Sequence, residues 1–210
     1  MQLSILLLCA AGALLATPLD ETTPESRVLV DSSPDTDRWY PVHDTVMGGV
    51  SNGAVRLAEG AARFAGVLSL ENNGGFASFR TRIDGADTAG FDGLRLKLRG
   101  DGQNWKVSLR GPNELSWQAP FATADGGWTT VELPFSTFVP SFRGRFVAEA
   151  SRLDPSQLRE LGLVIADGQA GEYSLELASI ECWRTARDEP RPGSLAAQVA
   201  REAETARRIE

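Results

Sequence analysis

The 210-residue chain has a single histidine and two cysteines. One histidine excludes any site that needs a pair of them. Two cysteines build neither a disulfide framework nor a four-cysteine zinc site. There is no glycine-rich loop running into Lys-Ser/Thr, so that phosphate-binding signature is absent. Leu3 to Ala16 is an unbroken run of apolar and small residues. A bilayer span takes about 20, so no integral span is expected once this leader is removed.

What is present suffices for a core. Hydrophobic residues make up 42 % of the chain, with five Trp and nine Phe, which excludes a wholly disordered protein. The net charge of −7 argues against nucleic acid as the main partner. That acidity is local. Residues 17–37 hold six acids and only Arg27, residues 38–180 hold 16 acids and 14 bases, and residues 181–210 hold six of each. The organisation reads as a leader over 1–16, an acidic arm over 17–37, a body over 38–183 and a polar tail over 184–210. Pro190, Pro192 and Gly193 precede a stretch of good helix formers with little apolar bulk, so the tail is expected to be a solvated helix or a frayed end. An apolar leader before an acidic Pro/Thr stretch has the pattern of an export signal, which predicts a periplasmic or extracellular protein. Cys9 would leave with the leader. Cys182, beside Ile180 and Trp183, reads as a buried small hydrophobe.

Within the body the hydrophobic period is two. Leu94, Leu96 and Leu98 alternate with Arg95, Lys97 and Arg99, and Trp105, Val107 and Leu109 alternate with Lys106, Ser108 and Arg110. Leu161, Leu163 and Ile165 repeat the pattern, as do Tyr173, Leu175 and Leu177. Glycine- and asparagine-rich clusters separate the runs. Many short alternating strands predict an all-β fold, an antiparallel sandwich with one face of each sheet inward. Asp154-Pro155-Ser156-Gln157 predicts one short helix, capped by Asp154 and ending near Leu161.

Several residue sets carry possible chemistry. His43, Asp44 and Ser51 are the residue types of a catalytic triad, but a loop histidine bonded to nearby backbone explains His43 more simply. Asp84, Asp87 and Asp92 share one connection, and Asp101 lies near Asn104 in another; turn formation accounts for them better than a calcium loop does. Read as a hairpin about Gly100-Asp101-Gly102, residues 94–99 and 105–110 would place Arg95, Lys97, Arg99, Lys106 and Arg110 on one outer face. Phe76, Ser78, Arg80 and Arg82 would extend it. Such a face suits an anionic partner or is simply solvated. Trp105, Trp117 and Trp128 are either sugar-stacking platforms or core, with core favoured. Met47-Gly48-Gly49-Val50-Ser51 and Asn72-Asn73-Gly74-Gly75-Phe76 are the unusual segments. Paired glycines permit positive φ and close backbone approach, and asparagine offers donors and acceptors. They read as turns and bulges, or as the polar rim of a docking site.

These residues carry a resemblance. His43-Asp44-Thr45-Val46-Met47-Gly48-Gly49-Val50-Ser51 resembles the opening motif of the complex I intermediate-associated protein 30 family. Phe64-Ala65-Gly66 and then Leu70 to Arg80 are similar to its second motif. Arg99-Gly100-Asp101-Gly102, Trp117 to Phe121, Leu133-Pro134-Phe135 and Phe142 to Arg145 fit in order, over about residues 38–182. The resemblance implies a galactose-binding-like jelly-roll and a role in assembly without catalysis. The expectation is a non-enzymatic module with no metal or cofactor, docking an unidentified protein partner, or alternatively a glycan. The residues expected to make that contact are Asp44, Met47, Gly48, Gly49, Ser51, Asn72, Asn73, Gly74, Gly75, Phe76, Arg80, Arg99, Asp101 and Arg110.

Overall fold

The computed structural model describes residues 25–31, 37–112 and 115–185. The leader and the expected helical tail lie outside the described residues. The period-two runs become strands: β1 Glu25–Asp31, β2 Tyr40–His43, β3 Asn52–Ala58, β4 Ala61–Leu68, β5 Ala77–Arg82, β6 Gly93–Arg99, β7 Asn104–Arg110, β8 Ser116–Ala122, β9 Thr129–Pro134, β10 Val139–Phe142, β11 Arg145–Phe146, β12 Glu160–Ile165 and β13 Gly171–Arg184. One sheet runs β3-β4-β13-β6-β9, with β1 also on β13; the other runs β11-β10-β8-β7-β12-β5-β2. Every strand pairing is antiparallel. This is the expected sandwich.

The core is what alternation dictates. Leu94, Leu96, Leu98, Leu175 and Leu177 of the first sheet face Trp105, Val107, Leu109, Leu161 and Leu163 of the second, all fully buried. Each such leucine contributes about 2 kcal/mol by leaving water. Along β13 the inward positions are Tyr173, Leu175 and Leu177, then Ile180 and Cys182. The parity changes at a register shift between Leu177 and Ser179, where a bulge re-aims the strand. Up to that bulge β13 pairs with β4; beyond it, β1 takes the place of β4. The second half of the acidic arm is therefore partly a strand.

Two sequence expectations are corrected. β6 and β7 do not form a hairpin. β6 pairs with β13 and β9, and β7 pairs with β8 and β12, so Gly100-Asp101-Gly102 carries the chain from one sheet to the other. A Cβ on Gly100 would lie 2.2 Å from the Thr123 side chain, which is why the crossing needs glycine there. The five cations are accordingly split. Arg95 pairs with Glu132 at 2.8 Å and Arg99 with Glu176 at 2.5 Å, on strands that flank β6. The short helix at Pro155–Gln157 is a single 3-10 turn and ends before Leu161, because Leu161, Leu163 and Ile165 are needed as inward positions of β12. Its cap is as expected: Asp154 Oδ1 accepts the Ser156 amide at 3.0 Å.

Cys182 is fully buried in this core, and burial pushes its thiol pKa up to about 12. A thiol reagent is expected to leave it unmodified in the folded protein and to react rapidly after urea unfolding. Fast native-state modification would contradict the placement.

Candidate functional site

The two glycine-rich segments meet at Asp44. This residue opens a 3-10 turn, Asp44–Met47, directly after β2. Its side chain is 0 % exposed. Oδ1 accepts the Ser51 amide at 3.0 Å; Oδ2 accepts the Ser51 hydroxyl at 2.5 Å, the Gly75 amide at 2.7 Å and the Phe76 amide at 3.4 Å. Burial pushes the carboxyl pKa up, but the bonds from Ser51, Gly75 and Phe76 outweigh it and hold the pKa below its ordinary value. A Cβ on Gly49 would lie 2.4 Å from the Asp44 carboxyl carbon, and one on Gly74 2.6 Å from Oδ2. The glycines stand where they do because the carboxylate fills the space. Asn72 and Asn73 take left-handed backbone at φ 55° and 58°, in the exposed turn that delivers Gly75. Gly48 caps the Asp44–Met47 turn in the same conformation, at φ 93°.

The triad residue types therefore do other work. The Ser51 proton goes to Asp44, and Ser51 Oγ also receives the Ser69 amide at 3.0 Å. His43 turns its Nε2 to the Gly53 carbonyl, 3.3 Å away. Serine and histidine share no hydrogen bond, so the trio holds no nucleophile–base pair.

The Asp44 network displays apolar side chains. Val46 is 72 % exposed and Met47 68 %, with Val50 and Leu70 also open to solvent. Met47 and Phe76 then line one end of a cleft of about 490 Å³ on the outer face of the seven-stranded sheet. Register builds the cleft floor. One row across the sheet is Arg80, Gly162, Ser108, Gln118; the next is Arg82, Glu160, Arg110, Ser116. Small residues at the centre let Arg80 lie over the sheet: a Cβ on Gly162 would meet Arg80 Cγ at 3.3 Å. Lys106 and Arg143 complete the cationic lining. Arg80 reaches Glu160 at 3.4 Å and Arg110 reaches the same oxygen at 3.7 Å, while the Tyr40 hydroxyl donates to the other oxygen. Burial and the neighbouring Arg110 lower the Arg80 pKa against the pull of Glu160. Burial, followed by the bond to Glu160, raises that of Tyr40.

The expected contact residues thus fall into three places. Met47, Phe76, Arg80 and Arg110 meet in the cleft. Asp44, Gly48, Gly49, Ser51, Asn72, Asn73, Gly74 and Gly75 form the support beside it. Arg99 and Asp101 lie elsewhere. Arg99 is on the other sheet, held by Glu176 and Glu59 with its guanidinium 5.4 Å from the Trp128 ring centre. Asp101 fixes the crossing between sheets by accepting the Ser174 amide at 2.6 Å and the Gln103 amide at 3.1 Å. Trp105 and Trp117 are core; Trp128 is 41 % exposed beneath Arg99, not packed inside. Asp84 caps a four-residue helix, α1 (Gly85–Thr88), Asp87 pairs with Arg27 at 3.5 Å, and Asp92 accepts the Thr185 amide. Among the described residues no cluster of three metal-ligating side chains occurs. Lys106, Ser108 and Gln118 were not among the expected contacts, although outward alternation on β7 and β8 marks them. Arg143 sits in the turn after β10 at φ 49°, and no pattern in the sequence aims it at the cleft.

Comparison with known proteins places this geometry in a family. The model of "Complex I intermediate-associated protein 30 (CIA30)" matches residues 28–177, more than half of the chain. Complex I intermediate-associated protein 30, mitochondrial, of Mus musculus is 28 % identical over 76 % of this chain and 57 % of its own length. Its counterpart in Drosophila melanogaster is 27 % identical over 73 % of this chain and 61 % of its own. The chain thus spans little more than half of these relatives. A family 11 carbohydrate-binding module of Clostridium thermocellum, solved with a mixed-linked tetrasaccharide, has a TM-score of 0.57 at 14 % identity, covering 77 % of this chain and 97 % of its own. That likeness is one of fold, an antiparallel jelly-roll sandwich. The relatives also overturn one expectation. They are mitochondrial by name, so the apolar leader does not establish a periplasmic or extracellular location. An apolar run without a preceding Lys or Arg is a weak address by itself. The match of that family model over residues 28–177 shows that this chain belongs to the complex I intermediate-associated protein 30 family.

Proposed function

We propose that the chain is a non-catalytic docking module that assists assembly of a membrane-bound respiratory complex. One observation carries the reading. A buried carboxylate with four hydrogen bonds holds Val46 and Met47 in the solvent, against the edge of a cationic cleft. Exposed apolar side chains on a hydrogen-bonded support suit a docking surface. Family membership supplies the kind of assembly.

Deleting the gene in the source cells is expected to lower mature NADH:ubiquinone oxidoreductase and raise its sub-assemblies on native gels. Val46→Asp with Met47→Asp, both at exposed positions, is expected to reproduce that defect while leaving the unfolding midpoint unchanged. Unaltered levels of the mature complex in the deletion would reject the role.

A further inference from the structure

We infer that the cleft on the seven-stranded sheet binds a carboxylate-rich polypeptide, a segment of a partner protein that carries clustered Asp or Glu beside an apolar residue. This rests on the docking reading above and names the chemistry of its partner.

The charge in the cleft is unbalanced. Arg80, Lys106, Arg110 and Arg143 line it, and Glu160 and Asp167 are the carboxylates that answer them. Asp167 is taken by Lys106 at 2.7 Å. Glu160 is shared by Arg80 and Arg110, and neither arginine reaches it closer than 3.4 Å. A well-formed guanidinium–carboxylate pair is bidentate at about 2.8 Å, so both arginines keep donors that Glu160 does not satisfy. Arg143 makes no ion pair among the described residues and lies 5.2 Å from the Phe142 ring centre. Glu160 is an internal stand-in: it holds the two guanidinium groups in place until an external acid takes them over.

The remaining lining decides between kinds of acid. Ser78, Ser108 and Ser116 are short side chains in the lining, which leave room beside Arg80 for an extended main chain. Met47 and Phe76 at one end offer an apolar contact that a uniformly charged polymer would leave unused. A short acidic peptide with an apolar anchor meets both conditions.

The test uses the full chain and a short fluorescein-labelled peptide bearing four Glu around a central Leu, with its Gln counterpart as control. Anisotropy is expected to show the Glu peptide binding about tenfold more tightly than the Gln peptide, the equivalent of one charge-assisted hydrogen bond. The difference is expected to shrink as salt rises from about 0.05 to 0.3 M. Arg143→Gln, at an exposed position, and Lys106→Gln are each expected to weaken binding several-fold. Glu160→Gln, which frees Arg80 and Arg110, is expected to strengthen it. Equal binding of the two peptides, indifference to Arg143→Gln and Lys106→Gln, or weaker binding in Glu160→Gln would each overturn the inference. So would tighter binding of an oligogalacturonate or a mixed-linked β-glucan than of the peptide. If gene deletion impairs the respiratory complex while the Glu peptide fails to bind, acid recognition falls and docking stands. If the peptide binds and deletion has no effect, the assembly role falls alone.

Discussion

Asp44→Asn is expected to lower the unfolding free energy by about 3 kcal/mol in urea titration. The substitution keeps shape and removes charge. Oδ1 accepts a backbone amide from Ser51 and Oδ2 accepts amides from Gly75 and Phe76. Whichever way the new amide group is turned, its NH2 faces a backbone N–H, and a buried donor is left unsatisfied. Each such loss costs about 1–3 kcal/mol. Ser51→Ala, which removes one hydroxyl from the same network, is expected to cost less, about 1–2 kcal/mol. The native protein also loses this contribution in acid. The Asp44 pKa is depressed in the fold, so its stabilisation is full above the unfolded carboxyl value of about 4 and is lost as pH falls through the lower folded value. The gap between wild type and Asp44→Asn is therefore expected to narrow below about pH 4 and to be constant above pH 5. A loss under about 1 kcal/mol at neutral pH would show that the carboxylate is not what joins the two segments.

Gly66→Ala is expected to cost about 3 kcal/mol or more and to leave little soluble protein. Gly66 stands opposite Gly53 in the β3–β4 pair. A Cβ there would lie 2.0 Å from the Asn52 carbonyl oxygen, 2.6 Å from Gly53 Cα and 2.7 Å from the Tyr173 hydroxyl oxygen. The first two obstacles are backbone and have no rotamer by which to move away. The third is pinned, because that hydroxyl donates to the Asn52 carbonyl at 2.9 Å. Gly127→Ala is the control. Its Cβ would meet nothing within 4 Å, and the urea midpoint should barely move. A Gly66→Ala protein as stable as Gly127→Ala would mean that β3 can shift away from β4 without loss.

The sandwich was legible because the large apolar residues alternate along most strands. Lys106, Ser108 and Arg110 against Trp105, Val107 and Leu109 leave a strand only one way to face. Sheet assignment was not legible. Gly100-Asp101-Gly102 has the composition of a hairpin turn, and only the non-local pairing of β6 with β13 and of β7 with β12 shows that it crosses between sheets. That crossing moved Arg99 away from Arg110 and left Arg80, a residue from a third strand, as the neighbour of Arg110 through Glu160. For the site, glycine pairs and asparagines at 47–51 and 72–76 marked both segments. Their meeting at one carboxylate was not readable, since Asp44 looks the same whether it binds a partner or its own backbone.

The place where β1 replaces β4 beside β13 has a bearing on engineering. Glu25 lies opposite Arg184 across that pairing, and the two side chains form an ion pair. The polypeptide therefore enters and leaves the sandwich side by side, on the sheet that does not carry the cationic cleft. Neighbouring ends tolerate circular permutation and insertion into a host domain. A short linker from Thr185 to Glu25, with new termini opened at the exposed Gly126-Gly127 turn, would recast the molecule as a cassette. Such a cassette could be spliced into a surface loop of another protein with its arginine-lined face turned outward.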